Sequence, residues 1–350
     1  MSILTAAQRL AFAIALLVGS ALLAPPAGAD VIPVKDLRNG ITMTQAQCAS
    51  LPSAVWLSVH GRAFCIRYYL SNAGGEGTRP VVFLDGDKLG ALNMRTGEYR
   101  NDPETDKDID TSNLDRIAEI LSKRSKTTAI YLGRIGLDGS SGDHRWRHSL
   151  LELHVTDAAL DAIKRRHKFE GFHLVGQSGG STLVGGVLGL RTDIGCAAIG
   201  AGRIYNPSWQ WPKAPAGLTT EQFNPADRVA IIAQRRETRI MVITDPADQR
   251  VSEKNQTPFV QMLRFAGGKV DHFIVQATDE NRHNMTPYAV TAAVACIRGD
   301  SSQDIAQSLT KLVERRLADK AKADSSKTEP LQTAQPNMQT QLRPVQPPFR

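Results

Sequence analysis

The sequence predicts an α/β fold, a mostly parallel twisted sheet flanked by helices, with a short cap. Three observations predict it. Solid apolar runs at 80–84 (PVVFL), 127–132 (TTAIYL) and 239–244 (RIMVIT) alternate with stretches of helical spacing. Such runs suit central parallel strands, which are covered on both faces, and their alternation with helices implies right-handed crossovers. Several runs end in acidic or glycine-rich loops, and an open α/β sheet binds its ligands at the carboxyl ends of its strands. The chain has 350 residues, 41 % of them hydrophobic, ample for a buried core.

The first 29 residues read as a targeting segment. Arg9 precedes an apolar stretch at 10–24, and Ala27-Gly28-Ala29 offers the small residues that a signal peptidase needs, with cleavage before Asp30. The apolar core is short for a membrane anchor, and no later apolar run approaches the roughly 20 residues of a membrane span. The expectation is a periplasmic or secreted protein with no stable membrane insertion after cleavage. Residues 30–300 are expected to form one folded domain, and 301–350 a helical extension followed by a disordered polar tail. The formal charge of +7 is spread along the chain and leaves no strong basic patch. No nucleic-acid partner is expected.

The elements follow in order. Runs 55–59 and 64–70 are rich in β-formers and read as an antiparallel pair turning at His60-Gly61-Arg62. Strand 80–84 ends in Asp85-Gly86-Asp87. Helical spacing covers 112–121, strand 127–132 follows, and 150–167 is amphipathic, with Leu151, Val155, Leu160 and Ile163 on one side. Strand 172–175 leads into a small-residue helix reaching about Leu190. Strand 196–199 precedes a small cap at 205–211 that holds Trp209 and Trp211. Strand 239–244, helix 258–266, strand 272–276 and helix 287–297 complete the domain. Residues 301–318 extend the last helix, and from Lys320 onward Gln, Pro, Ser and Lys dominate.

Four cysteines in an exported chain suggest disulfides, and four allow three pairings. The favoured set is Cys48–Cys65, local to the β-ribbon, with Cys196–Cys296 joining a strand start to the C-terminal helix. No CxxC spacing occurs, so no metal is assigned.

The chemistry centres on Gly176-Gln177-Ser178-Gly179-Gly180, a GxSxG between an apolar strand and a helix. A nucleophilic serine there sits on a strained strand-to-helix turn, which needs small neighbours. The N–H of Gly179, at a helix N-terminus, faces developing negative charge. Serine needs a base. Of eight histidines, His154 and His167 lie on the amphipathic helix, and His173 and His272 inside strands. His283 lies in a polar loop after the last strand and is the expected base. The base needs an acid. Asp248 is assigned, and Asp245, at the strand end, caps the turn. The second oxyanion donor is the N–H of Gly86 or Asp87. In the glycine-rich loop after strand 127–132, Arg134, Arg145 and Trp146 can hold a substrate, while the arginines can equally pair with the acidic loop at 85–87.

These residues resemble the α/β-hydrolase superfamily. The elbow around Ser178, the acid loop Asp245-Pro246-Ala247-Asp248 and the His283 loop carry the likeness over roughly residues 55–300. Asn224-Pro225-Ala226-Asp227, the DxxV at Asp248 and the short cap are similar to prolyl-oligopeptidase-like and dienelactone-hydrolase-like catalytic domains. Gly179 stands where such peptidases carry an aromatic residue. The resemblance implies a Ser178–Asp248–His283 triad, an oxyanion hole and no cofactor. The expected function is cleavage of a small carboxylic ester through an acyl-enzyme. The alternatives are a serine peptidase for short peptides and a non-catalytic binding protein on a hydrolase scaffold.

Overall fold

The computed structural model describes residues 30–90, 92–93, 98–101, 106–206 and 222–328. The expected targeting segment at 1–29, Trp209 and Trp211 of the expected cap, and residues 329–350 lie outside the described residues. The main sheet has eight strands among the described residues: β1 (Ala54–Val59), β2 (Arg62–Ser71), β3 (Val81–Leu84), β4 (Ala129–Leu132), β5 (Phe172–Gln177), β6 (Ile194–Gly200), β7 (Arg239–Thr244) and β8 (Val270–Ile274). Their spatial order is β8-β7-β6-β5-β3-β4-β2-β1. From β4 to β8 all neighbours run parallel, while β2 is antiparallel to β4 and β1 antiparallel to β2. The β1–β2 turn is made by His60 (φ 48°) and Gly61 (φ 71°). Two left-handed residues in a two-residue loop match the twist of the strands they join.

The longer helices among the described residues are α1 (Thr111–Ser125), α2 (Leu150–His167), α3 (Gly179–Leu188), α4 (Thr257–Phe265), α5 (Thr286–Ile297) and α6 (Ser302–Thr328). Alternation along the strands divides the core. Val82, Leu84, Ile130, Leu132, Leu174 and Ile199 pack with α2, α3 and α4 on one face. Val81, Phe83, Tyr131, Val175, Ala198 and Met241 pack with α1, α5 and the start of α6 on the other. Covering both faces is what permits near-continuous apolar strands.

Three features depart from the sequence expectation. The polar lead before β1 contains helices at Val34–Asn39 and Gln45–Ser50, the second with a Thr44–Gln47 capping box. The C-terminal helix is separate from α5, because Gly299 (φ 84°) ends α5 in a left-handed turn. It also runs to Thr328, past Lys320 where a disordered tail is expected. Cys48 is bonded to Cys65, and Cys196 in β6 to Cys296 in α5. No helix among the described residues is long and apolar enough to cross a membrane.

The chain leaves β3 toward β4 on one side and returns to β5 on the other. A crevice therefore opens at the carboxyl ends of β3 and β5. Leu84 is in register with Gly176, so the loop after β3 meets the turn after β5.

Candidate active site

Gln177 ends β5 and Gly179 begins α3, leaving Ser178 alone between them at φ 51°, ψ −119°. A non-glycine residue held there costs about 1–3 kcal/mol and persists only where its surroundings over-determine it. They do here. Ser178 N–H donates to Gly200 O at 2.8 Å, and Thr182 N–H donates to Ser178 O at 3.1 Å. A Cβ on Gly180 would run into the Leu84 carbonyl, and one on Gly176 would lie 2.5 Å from Ser181 Cα. Both glycines are therefore required by the close approach of backbone. Ser178 Oγ makes no hydrogen bond to another described residue. Catalytic hydrogen bonds commonly tighten only when substrate binds.

On one side of Ser178 lies the histidine loop. Nδ1 of His283 is 2.8 Å from Asp248 Oδ2 and 3.0 Å from Oδ1. A carboxylate only accepts, so Nδ1 is the donor in this pair, and in the neutral imidazole Nε2 is the nitrogen with the lone pair. Asp248 is held in turn, with Oδ1 accepting from the N–H groups of Arg250 (2.8 Å) and Val251 (2.9 Å). Asp245 does something else. Fully buried at the end of β7, it accepts from Ala277 N–H (2.8 Å) and from Arg282 Nε (2.6 Å) and Nη2 (2.8 Å). It thus anchors the residue before His283. Asp279 accepts from His283 N–H at 3.0 Å and Asn284 N–H at 2.9 Å. Gln177, the residue before the serine, donates from Nε2 to His283 O (2.9 Å), and its Oε1 accepts from Met285 N–H (2.9 Å). That side chain ties the histidine loop to the elbow.

On the other side lies the loop after β3. Its Gly86 packs on the serine: a Cβ there would sit 3.2 Å from Ser178 Cβ. Gly86 N–H donates to its neighbour's Asp85 Oδ1 at 2.8 Å. Of the two expected oxyanion donors, Gly86 is thereby occupied, which corrects that part of the expectation. Asp87 Oδ1 accepts from Arg134 Nη1 at 2.7 Å, and its Oδ2 lies 3.1 Å from His148 Nε2. Arg147 Nε and His144 Nε2 are each 3.5 Å away. Burial opposes ionisation of Asp87, yet His148 and Arg134 outweigh it and hold the carboxyl well below its usual range.

Of the two readings open for Arg134, the structure takes the pairing with the acidic loop at 85–87 and corrects the substrate-holding one. Arg134 is 1 % exposed, closed off from the solvent that a substrate would come through. Its Nε donates to Glu152 Oε1 at 2.9 Å and its Nη1 also to Asp85 O at 3.2 Å. An isolated guanidinium is costly to bury, so it sits where two carboxylates can pair with it. Arg145 turns back onto Asp143, which takes its Nε at 2.8 Å. Trp146 packs edge-on against Phe64 and under the Arg62 guanidinium, 4.9 Å from the ring centre. No described contact brings Arg145 or Trp146 to the elbow, because local partners claim both.

Sequence reasoning missed Glu152, His144 and His148, all buried beside the elbow. One signal was present: Ser149 and Glu152 have the S-x-x-E spacing of a capping box. Ser149 does accept from Glu152 N–H, but the Glu152 carboxylate reaches His148 N–H at 2.6 Å and Arg134 instead. Gln177 was also missed. The remaining histidines have other partners. His60 and His154 face each other at 2.7 Å, His272 lies 2.9 Å from Thr244 Oγ1, and His173 Nδ1 accepts from Cys196 N–H. Burial, with Arg79 nearby, pushes His173 down to about 4.

No protein-family model matches the sequence, and no curated protein does. Solved structures do resemble it. Acylaminoacyl peptidase from Pyrococcus horikoshii aligns over 75 % of this chain and 40 % of its own, at 15 % identity and a TM-score of 0.46. An esterase from Pyrococcus furiosus aligns over 78 % of this chain and 99 % of its own, at 11 % identity and a TM-score of 0.48. An esterase from Butyrivibrio proteoclasticus, solved with ferulic acid, aligns over 71 % and 99 %, at 10 % identity and a TM-score of 0.46. The chain spans about two-fifths of the peptidase's length. Its own strand order, the antiparallel β2 and the elbow after β5 define an α/β-hydrolase fold.

Proposed function

We propose that the protein is an exported serine hydrolase that cleaves carboxylic esters through an acyl-enzyme. The observation that carries the reading is Ser178 at φ 51° on a strand-to-helix turn, tied by Gln177 to a histidine whose Nδ1 lies 2.8 Å from a buried aspartate. His283 Nε2 takes the proton of Ser178 Oγ as Oγ bonds to the ester carbonyl carbon. The carbonyl electron pair moves onto oxygen, where the N–H groups of Gly179 and Asp87 receive it. Collapse breaks the ester C–O bond, and the leaving alkoxide takes the proton from His283. Water then repeats the sequence, and the acid leaves with Ser178 restored. Asp248 keeps the imidazole in the required tautomer and stabilises the imidazolium. No step calls on a cofactor. Export is supported by residues 1–29 and by two disulfides, which persist in oxidising compartments. N-terminal sequencing of exported protein tests it, and a chain starting at Met1 rather than Asp30 refutes cleavage.

The substrate reading is tested with p-nitrophenyl esters against aminoacyl p-nitroanilides, using Ser178→Ala as the blank. Ester turnover that the blank abolishes supports it. Preference for the anilides by kcat/KM makes the protein a peptidase. Turnover of neither, together with no labelling by a fluorophosphonate, makes it a binding protein.

A further inference from the structure

The glycine that follows the serine has a physical reason that the elbow alone does not supply. A Cβ on Gly179 would press on Asp87 Oδ1 and lie 2.8 Å from Arg134 Nη1. The space that a side chain would fill is taken by an ion pair. That carboxylate cannot swing aside, since Arg134 Nη1 holds Oδ1 at 2.7 Å and His148 Nε2 lies 3.1 Å from Oδ2. The guanidinium is fixed as firmly. It is 1 % exposed, with Glu152, 0 % exposed, on its Nε and the Asp85 carbonyl on Nη1. Arg134 therefore grips the loop after β3 at two points, the backbone of residue 85 and the side chain of residue 87, and ties both to the first turn of α2.

From this we infer that the Asp87 carboxylate and Arg134 are positioning residues for the oxyanion hole: they set the Asp87 N–H against the Gly179 N–H. The inference rests on the serine-hydrolase reading. Two physical arguments carry it. Donors stabilise a developing oxyanion only when they are aimed before the reaction starts, and a backbone N–H is aimed by whatever fixes its own residue. An ionised carboxylate beside the hole would also repel the oxyanion unless its charge is matched. Asp87 and Glu152 are matched by Arg134 and by Arg147, whose Nε is 3.5 Å from Asp87. Gly179 then has two duties: its N–H faces the crevice, and its missing side chain admits the pair.

The test measures kcat and KM separately on one p-nitrophenyl ester, with thermal unfolding of each variant as a fold control. Asp87→Asn keeps the backbone N–H and the side-chain shape but loses the charge that holds Arg134. Its kcat should fall about 10–100-fold, less than loss of a whole donor, with KM moving under about 3-fold. Gly179→Ala should give the same split from the opposite side, and Gly179→Ala with Asp87→Asn should lower kcat little beyond the worse single variant, because both changes disturb the same contact. Folded Asp87→Asn with kcat within about 2-fold of the parent, or with its loss entirely in KM, overturns the proposal. Should Asp87→Asn not fold, an unchanged kcat in Gly179→Ala overturns it alone. If the parent protein neither turns over the ester nor is labelled at Ser178 by a fluorophosphonate, the hydrolase reading fails and the inference with it.

Discussion

The two sides of Ser178 are held by different physics. On the histidine side, each carboxylate meets backbone N–H groups at its own strand end or loop. Asp248 is bound by Arg250 and Val251, Asp279 by His283 and Asn284, and Asp245 by Ala277 together with Arg282. On the other side, the proposed oxyanion side, Asp87, Arg134, Glu152, His144 and His148 meet in the interior, and charge is matched by charge. Hydrogen bonds to backbone at a loop rim orient His283, the group that exchanges protons in the proposed reaction. A buried ion cluster makes a loop rigid, and it penalises removal of one member far more than it rewards its presence. Changes on the histidine side should therefore act mainly on rate, and changes on the oxyanion side on stability as well.

The largest effect lies on the histidine side. Ser178→Ala and His283→Ala should each remove nearly all ester hydrolysis, since nucleophile and base act as one unit. Asp248→Asn should lower kcat by about 10⁴-fold through the wrong imidazole tautomer. Asp245→Asn should cost about 10-fold, by loosening Arg282. Both aspartate variants are compared on one ester at one pH. A crippled Asp245→Asn beside an active Asp248→Asn reverses the acid assignment.

Next comes stability on the oxyanion side. Glu152→Gln leaves the buried Arg134 guanidinium short of a counter-charge and should destabilise by about 3–5 kcal/mol. Asp279→Asn, half-buried on the histidine side, should cost about 1 kcal/mol. Urea unfolding of the two variants breaks the comparison if the costs are equal.

The disulfides divide along the same line. Cys196–Cys296 closes a separation of 100 residues onto α5, which begins just after the histidine loop. Cys48–Cys65 closes 17 residues beside the loop of Ser141, whose Oγ accepts from Cys65 N–H. Loop-closure entropy makes the longer bridge worth about 1.5 kcal/mol more. Replacing each pair with alanines and comparing urea midpoints measures this, and equal losses contradict it.

The smallest effect is a pH dependence. Burial pushes the His144 imidazole below its ordinary value, against the opposing pull of Asp87. As pH falls below about 6.5, the unfolded chain binds a proton here that the folded chain does not. Stability then falls by up to about 1.4 kcal/mol per pH unit until the folded His144 titrates. Asp87, with its folded value depressed, keeps its full contribution above about pH 4. Unfolding at pH 7.0 and 5.5 should show a smaller drop in His144→Asn than in the parent, and an unchanged drop removes His144 as a source.

Much of this was legible in the residues because it is set locally. The 150–167 helix was bounded to the residue, since apolar spacing and Ser149 at its cap act within a few positions. Gly176 and Gly180 around Ser178 predict the elbow, because only a residue without a side chain fits so close to the backbone of α3, in the case of Gly176, or to the Leu84 carbonyl of β3, in the case of Gly180. A polar loop at a strand end marks His283, and distance from the strand separates Asp248 from Asp245. Arg134 and Glu152 illustrate the opposite case. The residues leave Arg134 open between a substrate and the acidic loop at 85–87, and nothing in its own position points to Glu152, yet the two are buried against each other.

The sequence by itself thus determined the strands of the main sheet and the helices between them, the elbow and the chemical types gathered around it, because each follows from periodicity, turn sterics or the order of loops at one sheet edge. Only the tertiary structure decided which charges meet. Asp87, Arg134 and Glu152 come from three segments that adjoin because β3 lies between β4 and β5. Ion pairing between segments has no sequence period, and the cost of burial appears only once the chain has closed around the charge.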